Sequence, residues 1–231
     1  MKNYKKIHIW EFPPTLTFIR LKSEFRLWLF DRLISKASSQ EKLLMLLNKN
    51  SSKYGIKRKH SRLNLYSWIK GEKFDRGKNK TINIPLWILI EASIILAENS
   101  NSDNKTMIMA ERNIEFYTCW GKSNPITSPR LPLKLTPEMV SVIFHFMGDG
   151  HIGGKGVSSS YRQMNKEGLT NFLKKLKNIF GEFRYSKREF GDGRLNVPKV
   201  ITDFYNYYFQ LPDTSTFKVY IPDNIKKLGK E

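Results

Sequence analysis

Leu135–Ile152, LTPEMVSVIFHFMGDGHI, reads as one apolar helix that stops at Gly148-Asp149-Gly150 with a carboxylate at its C-terminal end. Thr136 is a natural N-cap, Pro137 fits the first helical position, and Glu138 suits the positive end of the helix dipole. From Met139 to Met147 only Ser141 and His145 interrupt the apolar residues, so burial on more than one side is expected, with His145 a core or interface residue. The free carbonyls at a helix C-terminus favour cations, which makes Asp149 unfavourable there by about 0.3–1 kcal/mol. A bound metal ion would reverse that sign. The competing reading is a helix-stop turn, in which Gly148 or Gly150 is left-handed and Asp149 is merely solvated.

Outside this stretch, composition narrows the function classes. The chain has 231 residues, 40% of them hydrophobic, enough for one large or two small cores. A formal net charge of +19 implies an anionic partner, most simply nucleic acid, although a Lys-, Ile- and Asn-rich composition also arises without function. No apolar run reaches the roughly 18 residues of a membrane span, and MKNYKKIHIWEFPP lacks a signal-peptide core, so no membrane partner and a cytoplasmic location are expected. The single Cys119 excludes an intrachain disulfide and a multi-cysteine zinc site, so any metal must be held by oxygen.

Upstream, residues 1–16 read as a basic arm. Apolar residues at helical spacing from about Thr17 to Lys36 predict a helix, and a second follows at about Ser39–Leu47. Between Ser51 and Lys80 lie ten basic residues against only Glu72 and Asp75. Within that segment SRLNLYSWIKGEK predicts a short helix with Leu63, Leu65, Trp68 and Ile69 inward, Arg62, Asn64, Ser67 and Lys70 outward, and Gly71 at its end. Leu86–Ala97 is another apolar helix, with Pro85 near its start. Thr106–Trp120 is a short helix or strand, and 121–134, with Pro125, Pro129 and Pro132, reads as a linker.

The segment 17–120 resembles a helix-turn-helix domain of the Cro/repressor type, with 41–48 as supporting helix and 61–70 as recognition helix, although 49–60 is longer than that family's tight turn. The resemblance implies double-stranded DNA as partner. Arg62 and Asn64 would face bases, Lys57, Arg58, Lys59 and Lys70 would face phosphates, and Ser67, on the same outward face, would be a further DNA contact.

Downstream, His151-Ile152 and Val157–Met164 read as strands. Asn165 caps an amphipathic helix with Leu169, Phe172, Leu173, Leu176, Ile179 and Phe180 on one side, closed by Gly181. Glu182–Glu189 and Arg194–Val197 read as a hairpin around Gly191-Asp192-Gly193, and a last helix follows Pro198. The expected fold class is α+β, with an all-α unit at 17–120 followed by αββαββα at 135–231.

Val142-Ile143-Phe144-His145-Phe146-Met147-Gly148-Asp149-Gly150, followed by that element order, resembles one repeat of the LAGLIDADG homing endonucleases. Leu131-Pro132-Leu133 is similar to the approach to the motif helix in archaeal members. The resemblance implies Mg²⁺-dependent hydrolysis of DNA phosphodiesters, with the metal at Asp149 and the Gly148 carbonyl, and with Gln163 and Lys218 as further catalytic candidates. It also implies a saddle-shaped sheet in which Ser158, Ser160 and Arg162, or the opposite parity, meet DNA together with Lys187, Arg188 and Arg194. No second motif is present. The site would therefore need a homodimer paired through helix 136–148, or the chain is a shortened descendant of a two-repeat enzyme, which bulky Ile143 and Phe144 favour. Two alternatives stand beside the endonuclease: a non-catalytic DNA-binding regulator, and an RNA-binding splicing helper.

Overall fold

The computed structural model describes residues 4–75, 78–97, 103–119, 123–151 and 159–210. Helices and strands are mixed along the whole chain. It begins with β1 (Lys6–Ile7), β2 (Thr17–Leu21), α1 (Ser23–Ala37), α2 (Gln40–Asn50), α3 (Arg62–Lys70), β3 (Glu72–Asp75), β4 (Lys78–Thr81), β5 (Ile84–Pro85), α4 (Leu86–Ala97), α5 (Asp103–Arg112) and β6 (Ile114–Cys119). It continues through β7 (Ile126–Thr127), β8 (Leu133–Lys134), α6 (Pro137–Asp149), β9 (Gly150–His151), β10 (Ser159–Arg162), α7 (Lys166–Phe180), α8 (Lys187–Gly191), β11 (Arg194–Val197) and α9 (Lys199–Phe209). Two compact units result: Pro14–Phe116, and Met1–Pro13 joined with Tyr117–Glu231. Among the described residues no helix is long and apolar enough to cross a membrane.

In the unit Pro14–Phe116 the expected helix from Thr17 is instead a strand followed by a helix. Thr17, Ile19 and Leu21 are buried at period two, and β2 pairs antiparallel with β5, Ile19 opposite Ile84. Alternation at period two, with β-branched Thr17 and Ile19, suits a pleated surface better than a helical one. The Lys22 N–H then bonds to the Asn113 carbonyl, and α1 starts at Ser23. Phe25, Leu29, Phe30 and Leu33 of α1, Leu43 and Leu47 of α2, Leu65 and Trp68 of α3, and Leu86–Leu89 of α4 form the core. The unit is therefore not all-α. Strands β2 and β5 and the antiparallel hairpin β3–β4, Glu72 opposite Thr81, belong to it.

The second unit claims the N-terminal residues that the sequence presented as an arm. Strand β1 pairs with β8, Lys6 opposite Lys134, and Ile7, Ile9 and Phe12 are fully buried. The Phe12 ring lies 4.4 Å from Phe204 and 5.7 Å from Tyr117. Alternating Ile7 and Ile9 supply an apolar edge inside a basic run, and β7 and β8 give the expected linker a structured role. Helix α7 follows its expectation closely: Asn165 accepts from the Glu167 and Gly168 amides, and the six expected apolar residues are all buried.

The expected hairpin at 182–197 is absent. Among the described residues the sheet has three strands in the order β11-β10-β9, and Glu182 contributes only an isolated bridge to Thr127. Ser186 accepts from the Glu189 amide and starts α8, so Ser-x-x-Glu acts as a helix start where strand alternation was expected. The observed order is αββααβα.

Candidate functional site

The end of α6 is built by one buried face and one open face. Thr136 Oγ1 accepts from the Met139 amide, and the Tyr205 hydroxyl donates to the Met139 carbonyl at 3.1 Å. Met139, Val142, Ile143 and Phe146 are buried, Val140 and Met147 are half-buried, and Phe144 is 46% exposed. Burial is thus one-sided, contrary to the expectation from the apolar run. At Gly148 a Cβ would meet nothing within 4 Å. Neither Gly148 nor Gly150 is left-handed, so the helix-stop turn is also corrected. Gly148 lies within the helix, and Gly150 (φ −93°, ψ 152°) leads directly into β9. A Cβ on Gly150 would lie 2.6 Å from Phe146 Cα, which explains the glycine there.

Asp149 is exposed and lines a cleft of about 610 Å³ with Arg162, Gln163, Glu189, Asp192 and Arg194. Arg162 and Arg194 sit opposite each other across β10–β11. Like charges in that register repel, so the three carboxylates, or a bound anion, must offset them. Glu189 Oε2 already accepts from Asn196 Nδ2 at 2.6 Å. The Nε of Arg194 is buried without a hydrogen-bond partner.

The strand parity is now settled. Ser159 Oγ lies 2.8 Å from Thr202 Oγ1, and Tyr161 packs on Phe172 at 4.0 Å, so odd residues face the helices. Ser160 and Arg162 share the other face; Arg162 is exposed, but Ser160 is only 4% exposed. Lys187 and Arg188 are exposed on α8, not on a strand. Ser158 and Lys218 lie outside the described residues. Sequence reasoning missed Tyr161 and Glu189, whose approach to Asp149 is tertiary; Asp192 lies in a turn, as expected, and that turn borders the cleft.

For Mg²⁺ the donor chemistry fits, since Asp149, Glu189 and Asp192 offer hard oxygens along one cleft. Among the described residues no group of three His, Cys, Asp or Glu is placed to hold a metal by itself. Such a set suits an ion that takes one or two carboxylates and completes its shell with water and substrate phosphates. Cys119 is buried, and burial pushes its thiol up, away from the thiolate form.

In the unit Pro14–Phe116 the basic residues gather around α3. Ser61 and Asn64 form a capping box, Ser61 Oγ accepting from the Asn64 amide and Asn64 Oδ1 from the Ser61 amide. Arg62, Asn64 and Lys70 are exposed as expected, and Arg62 donates to Glu41 Oε1 at 2.7 Å. Ser67 and Leu63 are exchanged relative to the expectation. Ser67 is 3% exposed and donates to the Leu63 carbonyl, whereas Leu63 is 56% exposed. Ser67 therefore cannot touch a base. Lys57, Arg58 and Lys59 are exposed on a loop that Asn48 fixes, donating to the His60 carbonyl and accepting from its amide. The His60 ring lies 5.0 Å from Trp68 and 5.4 Å from Trp87, and burial holds its pKa below the ordinary histidine value, with Arg58 acting in the same direction.

At its C-terminal end α3 is closed by two arginines. Arg26, 4% exposed, donates to the Leu21, Ile69 and Lys70 carbonyls and to Ser23 Oγ. Arg20 donates to the Gly71 and Ile82 carbonyls. Gly71 (φ 74°) leaves the room they need, since a Cβ there would lie 2.5 Å from Arg26 Cζ.

Compared with known proteins, the chain matches no family model, no curated protein and no solved structure.

Proposed function

We propose that this chain is a DNA-binding protein of the LAGLIDADG endonuclease type, hydrolysing DNA phosphodiesters with Mg²⁺ as a homodimer paired through helix 136–148. The observation that carries this is the open stripe of α6, Val140, Phe144, Met147 and Gly148, lying beside an exposed terminal acid. Ile143, whose bulk argued for a shortened enzyme, is fully buried within its own unit and so lies away from the stripe. A second helix on the stripe would bring a symmetry-related Asp149 towards the first, which two-strand cleavage requires.

Asp149 and the Gly148 carbonyl would hold the ion, which when bound polarises a phosphoryl oxygen and lowers the pKa of a water. Arg162 and Arg194 bind and orient the phosphodiester, their guanidinium forks matching its oxygens. The exposed Lys57, Arg58, Lys59 and Lys70 contact further phosphates, and Arg62 and Asn64 are the residues offered to bases.

The test is incubation of the wild type and Asp149→Ala with duplex DNA and Mg²⁺, alongside sedimentation. Nicking by the wild type alone, from a dimer, supports the proposal; equal nicking, or none from either, removes the enzyme. The basic surface around α3 favours a second reading, a non-catalytic regulator, which salt-sensitive duplex binding without cutting would support. Displacement of duplex by RNA at lower concentration would support the splicing helper instead.

A further inference from the structure

Helix α7 reaches back to α6 through Lys175, whose Nζ lies 3.3 Å from Ser141 Oγ and 3.3 Å from His145 Nε2. His145 Nδ1 lies 3.3 Å from the Tyr161 hydroxyl, which donates to Gln163 Oε1 at 3.0 Å. An ammonium has protons and no lone pair, so it sets the direction of everything that follows. Nε2 of His145 accepts, its ring proton sits on Nδ1 and is donated to Tyr161, and the phenol proton points onward to the cleft. Burial, reinforced by Lys175 and opposed by Asp149, lowers the His145 pKa and favours the neutral ring this direction needs.

The phenol proton is donated to Gln163 Oε1, while burial first and the nearby Asp149 carboxylate second push the Tyr161 pKa up and keep the proton on the phenol. A glutamine that accepts through Oε1 turns its NH₂ the other way. Gly168 independently marks the same slot. Glycine in a helix costs about 1 kcal/mol relative to alanine, yet a Cβ at Gly168 would lie 2.8 Å from Gln163 Cδ. The first turn of α7 is thus kept bare where the Gln163 amide rests.

We propose that Lys175, His145 and Tyr161 form a one-way hydrogen-bond chain that positions Gln163 with its amide nitrogen turned into the cleft, as a donor to a phosphodiester oxygen beside Arg162 and Arg194. His145 is then a positioning residue and not core filling. The ligand rests on the DNA reading above; the chain itself does not.

Two measurements separate them. Imidazole ¹⁵N shifts of the wild-type protein report the tautomer, expected to carry its proton on Nδ1. Binding of a mixed-sequence duplex in EDTA is compared for the wild type, Gln163→Glu, Tyr161→Phe and Gly168→Ala. Gln163→Glu, which puts an acceptor where the donor was, is expected to bind about tenfold more weakly. The other two should lose about threefold, and Gly168→Ala should do so while melting no lower than the wild type, which separates displacement of the amide from unfolding. A proton on Nε2, or wild-type affinity in Gln163→Glu, overturns the proposal. Wild-type protein that binds no duplex overturns the DNA reading and the phosphate role with it, while the tautomer still decides the chain.

Discussion

Helices α3 and α6 end in opposite ways. The last carbonyls of α3 receive Arg26 and Arg20, buried or half-buried cations that complement the negative end of the helix dipole. The last turn of α6 has no basic residue and carries Asp149 instead. One end is closed from within its own unit, and the other is left electrostatically unfavourable and open to a cleft. A helix end closed by its own fold serves stability. An end left in that state offers its unfavourable charge to something outside, and this contrast locates the candidate chemistry on α6.

The largest expected effect comes from opening the closed end. Arg26→Ala removes four hydrogen bonds, one of them to the buried Leu21 carbonyl and three to part-buried acceptors, and should cost about 3 kcal/mol, read as a lower midpoint in chemical denaturation; an unchanged midpoint would show that α3 does not depend on the clamp. Acid should act next. Burial depresses the His60 pKa in the fold below the ordinary histidine value of 6.5, so the unfolded chain takes up the proton more readily. Stability is then fully present above pH 6.5 and declines as the pH falls below it. Thermal melts at successive pH values should show the decline, and His60→Gln should reduce it, leaving the part due to His145, which is shifted in the same direction.

At the open end two effects oppose each other. Asp149→Asn relieves the helix dipole but removes one of the carboxylates that offset Arg162 and Arg194, so stability should change by no more than about 1 kcal/mol while the proposed Mg²⁺-dependent nicking is lost; a larger loss of stability would mean that the acid belongs to the fold. The smallest effect is expected at the exposed Arg62–Glu41 pair. Glu41→Gln should change stability by no more than about 0.5 kcal/mol and strengthen duplex binding, because Arg62 is released.

What the sequence made legible was whatever local chemistry decides. Asn165, Gly181 and six apolar residues at helical spacing defined α7, and Thr136-Pro137 defined the start of α6. The strand β2 was hidden because its apolar residues run without a break into those of α1, and two periods overlap there. Leu63 and Ser67 were exchanged because a helix of nine residues leaves its rotational phase poorly determined. Arg26 was invisible for a different reason: a lone arginine reads as surface until the carbonyls that surround it are known. The cleft likewise depends on register, Arg162 meeting Arg194 only when β10 and β11 pair, which no local pattern specifies.

The pairing of β1 with β8 has a consequence for the order of synthesis. Strand β1 finds its partner only after residues 133–134 have followed, by which time the whole of Pro14–Phe116 has been made and can fold as an insertion. Deletion of the residues from Lys6 to Phe12 would accordingly harm the unit that carries Asp149, far away in sequence, before it harmed the unit that immediately follows.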